Sequence, residues 1–590
     1  MQKSNIIKLL LFFTFNFTVS AQVNCIHTST GVYNVPITNP VYDFLLRAET
    51  KGLLPRYSLS MLPWQKHKIV SALKLIRESD SLLSNNEKKI LNNFEREFGI
   101  VATNRAVVLY SETDKTVKKY IPLAPLERGN FEDKDSSLIP PFQGGKGDVS
   151  QVLSLKIFSD YEKMFYHYAD TVNNVTVIPL ASADFIDDLR TNNNLLMGTA
   201  GVRFFGTLTN NFGYYLQLTS TAMLRGDSAL ALLDKKFTHN IKFLKYNSDA
   251  DISESHIAYQ NKWFYGSIGR ETKLNGAGLS QRLYVNDLSP AFDAITLAAR
   301  FNNFEYTFSH NSLIGMPLDA HKTVGVQAII PNKFLIMHNY TFKPEWGEIS
   351  IFESVTYSRD FEFAYISPLS FLNSLEHSLH DRDRVNMGLS GVYRPFRNFQ
   401  IKGTWYLDDL KFSEIGKKYW SNKTAWNIAG ITSAIKNTDL GLEYTRVEPY
   451  TYTHYNPQNA AVNDGILFSG YNMPNSDRWT LLCQYWWGNR YPIKLNFSYT
   501  RHGRNIYDED GNLLLNVGGD PLQNFRWSDT LRDNERVNFL AGDLVRTFNM
   551  DFTVGYEFIR NFSIHFLYNL KHERDIFSNY YRLILRFSDF

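Results

Sequence analysis

Apolar and polar residues alternate through one short run after another between about Thr424 and Phe590, and this rhythm constrains the chain more than any other feature. Successive side chains of a β-strand point to opposite faces, so a period of two means one face meets an apolar environment and the other a polar one. In Tyr491–Arg501, Tyr491, Ile493, Leu495, Phe497 and Tyr499 share one face, and Lys494, Asn496, Ser498 and Thr500 the other. Phe552, Val554, Tyr556 and Phe558 alternate with Thr553, Gly555 and Glu557. Leu440, Leu442 and Tyr444 oppose Gly441, Glu443 and Thr445, and Tyr581, Leu583, Leu585 and Phe587 oppose Arg582, Ile584, Arg586 and Ser588. A soluble β-sandwich carries the same alternation, so the period alone does not say whether the apolar face meets lipid or a protein core.

The rest of the chain favours lipid. Lys3 and Lys8 precede an apolar stretch from Leu9 to Val19, and Val19-Ser20-Ala21 offers small residues for cleavage before Gln22, so 1–21 reads as a secretory signal. That stretch is too short for a bilayer-spanning helix, and no other is apolar enough. Cys25 follows Gln22-Val23-Asn24, which is not a lipoprotein context. Loss of Lys3 and Lys8 leaves 60 basic against 59 acidic residues, a balance that argues against a nucleic-acid partner. Aromatic residues make up 15% of the chain, as the interfacial girdles of a membrane barrel require. Cys483 lies on the apolar Trp479–Leu481–Tyr485 face, so neither a disulfide to Cys25 nor a cysteine metal site is expected.

Working back from Phe590, the connections near Arg560-Asn561, Gly488–Pro492, Ile435–Thr438 and Pro395–Asn398 are short. Those at 502–546, 448–477, 408–423 and 359–384 are long. Short periplasmic turns and long external loops are the asymmetry of outer-membrane barrels. The expected fold is an all-β transmembrane barrel of about 18 antiparallel strands over 149–590. The parity of the strands between about 270 and 350 is left open.

The N-terminal part has a different period. Asn39-Pro40 opens a helix whose stripe is Val41, Phe44, Leu45 and Ala48, with Gly52 at its end. A second helix starts near Pro63-Trp64 with Ile69, Ala72, Leu73 and Ile76. A third follows a Ser84/Glu87 capping box with Ile90, Leu91, Phe94 and Phe98. Residues 22–100 thus form a small α-helical periplasmic module, too small a core to stand alone and expected to dock on the barrel. Prolines and glycines make 101–148 a linker, with one short strand near Arg105–Tyr110 and barrel strands beginning near Ser150.

Several residues stand apart from the pattern. Arg446 and Arg501 continue the outward faces of their strands to the external rim, where they can meet anionic lipid headgroups or simply snorkel. Trp486 and Trp487, near a periplasmic turn, read as interfacial belt. Glu353 sits among Ile349, Ile351, Val355 and Tyr357 on an apolar face, which implies a bulge or an inward-pointing face. Phe590 is out of phase with Phe587.

Sugar recognition needs aromatic faces for C–H surfaces and fixed polar groups for hydroxyls. The external segments hold both: Asp408, Asp409, Tyr419 and Trp420; then Tyr450, Tyr452, His454, Tyr455 and Asn456; then Tyr507, Asp508, Asp510, Trp527 and Asp529. The alternative is that these side chains pack the loops on one another to close the barrel. Asp508-Glu509-Asp510-Gly511-Asn512 lacks the spacing of a calcium loop and reads as a turn. Lumen-facing Lys402, Thr404, Glu443 and Thr445 suit a hydrogen-bonded filling. No nucleophile–base set, nucleotide loop or metal cluster stands out, so the chain is read as a non-enzyme without cofactor or metal.

Certain stretches resemble a known family: Asn39-Pro40-Val41-Tyr42-Asp43-Phe44-Leu45 with the helices after it, Ile366-Ser367-Pro368-Leu369, Trp405-Tyr406-Leu407-Asp408-Asp409, Glu443-Tyr444-Thr445-Arg446 with Thr451-Tyr452-Thr453-His454, and Asn475-Ser476-Asp477. Together, in this order, they resemble the Wzi-type capsule assembly family in its Bacteroidetes form. The resemblance implies an outer-membrane barrel with a periplasmic helical bundle that holds capsular or other surface polysaccharide in a lectin-like way. Outer-membrane lipids and the barrel assembly machinery are the other partners implied. The competing reading is an outer-membrane pore or polysaccharide export conduit.

Overall fold

The computed structural model describes residues 31–100, 162–169, 172–238, 240, 243–244, 249–317, 330–523 and 535–590, and the backbone of four short strand segments elsewhere. The signal segment, Cys25, the region near Ser150, Trp527 and Asp529 lie outside the residues described in full. Arg105–Leu109 is a short strand, close to the expected bounds.

Among the described residues, the alternating runs pair in chain order into a closed antiparallel barrel of 18 strands. In chain order these are β1 Asn174–Asp188, β2 Asn193–Leu208, β3 Phe212–Gly226, β4 Asp249–Gln260, β5 Phe264–Glu271, β6 Phe292–Phe301, β7 Phe304–Ile314, β8 Asn332–Phe342 and β9 Gly347–Tyr357. They continue as β10 Arg384–Phe396, β11 Phe399–Asp409, β12 Lys423–Thr432, β13 Thr438–Val447, β14 Ser476–Tyr485, β15 Ile493–Arg504, β16 Asp543–Ile559, β17 Phe562–Glu573 and β18 Ile576–Phe587. Closure pairs β18 with β1, from Tyr580 opposite Asp188 to Phe587 opposite Ala181. Among the described residues the first strand of the closed wall begins at Asn174, and Tyr166–Ala169 pairs with its first residues.

Register carries the period of two around the whole wall. Ile257 lies opposite Ile268, and Ile268 opposite Ile295. These three, with Ile351, Leu389, Ile428, Leu442 and Leu585, are exposed on the outside. Alternate positions of the wall, including Thr199, Thr221, Thr404, Asn427 and Glu443, are buried inside. A wall that exposes isoleucine and leucine outward and buries hydroxyls and carboxylates inward is inverted relative to a soluble core, and hydrocarbon is the solvent that suits it.

The connections 209–211, 261–263, 302–303, 343–346, 397–398, 433–437, 486–492 and 560–561 lie at one end. At the other lie 272–291, 358–383, 410–422 and 448–475 with the short turns 189–192 and 574–575, and the chain leaves Ile314 and Arg504 from that same end. This assigns the strands between 270 and 350 that the sequence left open.

The helical module docks at the short-turn end. Its helices are α1 Val41–Thr50, α2 Lys66–Glu78 and α3 Asn85–Glu97. Ser84 and Glu87 form the capping box, and Gly52, at φ +77°, ends the first helix. Ile69, Ala72, Leu73, Ile76, Ile90, Leu91 and Phe94 are buried in one core. Arg47 of α1 joins that core to the barrel: it pairs with Glu87 at 2.7 Å and with Asp439 of β13. Arg490 pairs with Glu97 of α3 and with Glu557 of β16, and Lys402 of β11 with Glu49 of α1 at 3.1 Å.

Trp486 departs from its expected place in the belt. It is fully buried, its ring edge-on to Phe44 at 6.0 Å and its indole N–H donating to Asp439 at 2.7 Å. Docking of α1 over the β14–β15 turn covers it, an event the local sequence does not encode. Trp487 stays exposed beside Tyr556.

Glu353 also differs from expectation. The register of β9 runs unbroken past both neighbours, so there is no bulge, and Glu353 lies on the outward face. The connection 358–383 folds back over it outside the wall. The strand β18 ends at Phe587, and Phe590 lies under the Arg586 guanidinium, lining the lumen, which accounts for its phase.

Candidate functional site

The lumen is filled from both ends. Residues 272–291, between β5 and β6, turn inward instead of rising outside. Glu443 of β13 accepts the backbone N–H groups of Leu279 and Ser280 at 3.0 and 2.8 Å, and the Asn427 side-chain amide at 2.8 Å. Thr404 Oγ1 accepts Ala277 N–H at 2.9 Å. The expected hydrogen-bonded filling is therefore present for Glu443, Thr404 and Lys402, with the inserted loop and α1 as partners; Thr445, expected with them, is buried but its Oγ1 bonds to neither. The local signal was Gly276-Ala277-Gly278: a Cβ on Gly278 would meet Gln281 O at 2.0 Å and Asn427 Nδ2 at 2.6 Å.

The external loop 448–475 caps this inserted loop. Leu283, Tyr284 and Val285 pack with Tyr406, Tyr452, Ala461 and Phe468 in one buried cluster. Tyr452, at φ +73°, is fully buried; its N–H donates to Asp408 at 2.7 Å and its ring meets Tyr406 at 5.3 Å. Asp408 pairs with Arg384 at 2.9 Å, both buried. Burial holds the Tyr452 phenol well above its ordinary range. Tyr450 is buried too, donating its hydroxyl to Asn516 O at 2.7 Å and its N–H to Gly518 O at 2.9 Å, which fastens this loop to 505–542. His454 is buried against Tyr455, with ring centroids 4.1 Å apart.

The remaining candidates form the outer layer. Trp420 is half-buried, edge-on to Tyr450 at 5.9 Å, and its backbone N–H donates to Glu535 O at 3.0 Å. Tyr419 lies between Lys411 at 5.0 Å and Arg536 at 5.8 Å. Asp409 is exposed and accepts the Ser421 hydroxyl. Tyr507 is exposed above Asp520, and Asp508 closes a turn by accepting Asn512 N–H at 2.7 Å. Arg446 and Arg501 stand on outward positions at the external ends of β13 and β15. Arg501 pairs with Asp477 at 2.9 Å, and Arg446 pairs with Glu448 at 2.6 Å and lies over Phe539. Arg384, the buried cation holding the Asp408 carboxylate, was missed because it stands at a strand's first residue with no local motif.

Beside the inserted loop a cavity of about 480 Å³ remains against β18 and β1–β5, lined by Asp184, Thr199, Thr219, Asp234, Glu254 and Arg582 among others. At its external end Arg582 pairs with Asp184 and Asp234.

No family model matches the chain, and no curated protein matches it. Solved structures with a similar fold include Wzi of Escherichia coli, described as an outer-membrane protein involved in group 1 capsule assembly and as a carbohydrate-binding β-barrel. It is 11% identical, with a TM-score of 0.51 over 95% of this chain and 99% of that one. OprD of Pseudomonas aeruginosa is 11% identical, with a TM-score of 0.40 over 73% of this chain and 96% of its own. OccAB4 of Acinetobacter baumannii is 10% identical, with a TM-score of 0.42 over 71% and 98%. The chain has the fold of outer-membrane β-barrels.

Proposed function

We propose that this protein resides in the bacterial outer membrane and holds a capsular or other surface polysaccharide at the cell exterior, by binding rather than catalysis. The observation that carries the reading is the external loop assembly. Buried contacts of Tyr450, Tyr452, Asp408 and Arg384 lock three loops together, so that Tyr419, Trp420, Asp409 and Tyr507 are presented on a fixed platform. Preorganised aromatic faces beside carboxylates bind sugar rings without a large ordering cost. In this reading His454 and the buried tyrosines shape the platform, and Arg446 and Arg501 meet lipid headgroups at the rim. The likeness in fold to Wzi, described as carbohydrate-binding, supports the same reading.

The test is polymer retention. A strain carrying Trp420→Ala with Tyr507→Ala is expected to make normal amounts of surface polysaccharide but to shed it into the medium, with the barrel present at its usual level. Unchanged cell-bound polymer in that strain, and in a deletion strain, would refute the proposal.

A further inference from the structure

Glu353 and His338 stand opposite each other on the outward faces of β9 and β8, 3.2 Å apart, and neither reaches solvent. A carboxylate on the lipid side of a barrel wall is costly unless protein covers it. Residues 358–383 supply that cover. Leu372 N–H donates to Glu353 Oε2 at 3.1 Å, at the start of the short helix Leu372–Ser378. The hydroxyl of outward-facing Tyr306 donates to Pro368 O. Tyr365 and Leu372 are fully buried against Phe308, Ile336, Val355 and Tyr357 of the wall, and the Tyr365 hydroxyl donates to Asp383 at 2.8 Å.

The polar and inner side of this segment is thus accounted for. Its other side is apolar and bare over 361–371, where Phe361 is 51% exposed, Phe363 79%, Leu369 90% and Phe371 56%, and becomes polar from Ser374 to Arg382. Below Glu353 on the same face of β9, Ile351 and Ile349 are also exposed, so the bare side chains continue the outward apolar band of the barrel. An exposed apolar cluster of this kind marks an interaction surface.

We propose that residues 358–383 form a lipid-contacting skirt, with Phe363, Leu369 and Phe371 inserted among the acyl chains of the outer leaflet near the headgroup boundary. The occupant is the lipid surface, because the patch is continuous with the wall that hydrocarbon already covers. Such an element lies in the interface instead of spanning it, apolar side chains down and backbone polar groups turned to protein. The skirt also reaches the loop platform. Arg382 O accepts the Tyr455 hydroxyl at 3.1 Å, and the next residue but one, Arg384, holds Asp408 and through it Tyr452. Lipid contact on the outside of the wall thereby positions the loop that carries Tyr450 to His454. The lipid contact itself does not depend on the polysaccharide reading.

The experiment places a nitroxide at Leu369→Cys, and separately at Phe371→Cys, in the full chain with Cys25→Ser and Cys483→Ser, reconstituted in phospholipid vesicles. Leu514→Cys, on an exposed external loop, is the aqueous control. At 369 and 371 collisional relaxation by oxygen is expected to exceed that by a water-soluble nickel chelate severalfold, with the order reversed at 514. Nickel access at 369 and 371 equal to that at 514 overturns the proposal. So does spin–spin broadening at either site that vanishes on dilution with unlabelled protein, because a second copy is then the occupant.

Discussion

Glu443 Oε2 accepts the backbone N–H of Ser280 at 2.8 Å, tying the wall strand β13 to the loop that crosses the lumen. The same carboxylate also takes the N–H groups of Leu279 and Gln281 and the side-chain amide of Asn427. One side chain therefore satisfies donors of the inserted loop that have no strand partner. This clasp holds the inserted loop against the lumen side of β13.

Glu443→Ala should loosen the inserted loop without removing it. Each buried donor left without an acceptor costs about 1–3 kcal/mol, enough for the loop to leave its seat part of the time. In planar bilayers the native protein is expected to pass little current, and Glu443→Ala to show larger and flickering conductance through the space beside β18 and β1–β5. A native protein with steady large conductance would favour the pore over the binder. A variant as closed as the native protein would show that Glu443 is not the clasp.

Much of this architecture was legible because lipid outside and polar filling inside impose one rule on every strand. The faces of β13, β16 and β18 follow their alternation, as does β15 from Ile493 on. Tyr491, expected on the outward face, turns into the lumen instead, its hydroxyl donating to Asp589 and its ring edge-on to His565 at 4.6 Å. Ser84 with Glu87 marks a helix start by a purely local device. What could not be read depends on contacts between distant segments. Trp486 has a belt residue's sequence context and is buried only because α1 docks over it. Glu353 breaks the pattern of β9, and the explanation lies in the fold-back of 358–383. In the candidate site, the positions of Asp409, Tyr419 and Tyr507 on external loops follow from topology. The burial of Tyr450 and Tyr452 does not, since φ values of +62° and +73° at two tyrosines are imposed by loop packing.

Arg47 is buried with Glu87 and beside Asp439. Its removal takes the paired cation from Asp439, which keeps the Ser433 hydroxyl and the Trp486 N–H, while Glu87 keeps Lys51 at 2.9 Å. Arg47→Met is expected to cost about 3–5 kcal/mol, as for other broken buried pairs, and to act on docking more than on the barrel. Limited proteolysis should cut the helical module at low protease concentration while the barrel keeps its resistance to unfolding in detergent. Equal protection of the module in both proteins would show that the apolar core around Phe44 and Trp486 suffices alone.

The two layers of external aromatics should separate under mutation. Tyr452→Ala empties a fully buried site and is expected to cost the loop assembly about 3–5 kcal/mol, seen as a lower thermal midpoint and faster amide exchange in 448–475. Trp420→Ala and Tyr507→Ala should leave exchange in 448–475 nearly unchanged and weaken pull-down of surface polysaccharide. Weaker pull-down in Tyr452→Ala alone would mean that the contacting surface lies elsewhere on the platform.

His67 makes docking of the module sensitive to acid. Its Nε2 accepts the Gln260 side-chain amide at 2.9 Å, and its Nδ1–H donates to Gly31 O at 3.2 Å, so the folded protein needs the neutral ring. Burial above all, with the charges of Arg300 and Lys68, pushes this imidazole down to about 4 from an ordinary 6.5, against the hydrogen bond to Gly31. In an unfolded or undocked module the ring binds a proton below pH 6.5, and in the docked one it does not until about pH 4. Stability therefore falls as pH drops through that window and is fully present above it. Exchange of α2 amides, corrected for intrinsic rates, should be faster at pH 5 than at pH 7.5 in the native protein. His67→Gln, which keeps a polar side chain and removes the titration, should flatten the difference. An unchanged pH slope in that variant would assign the effect to another group of the interface.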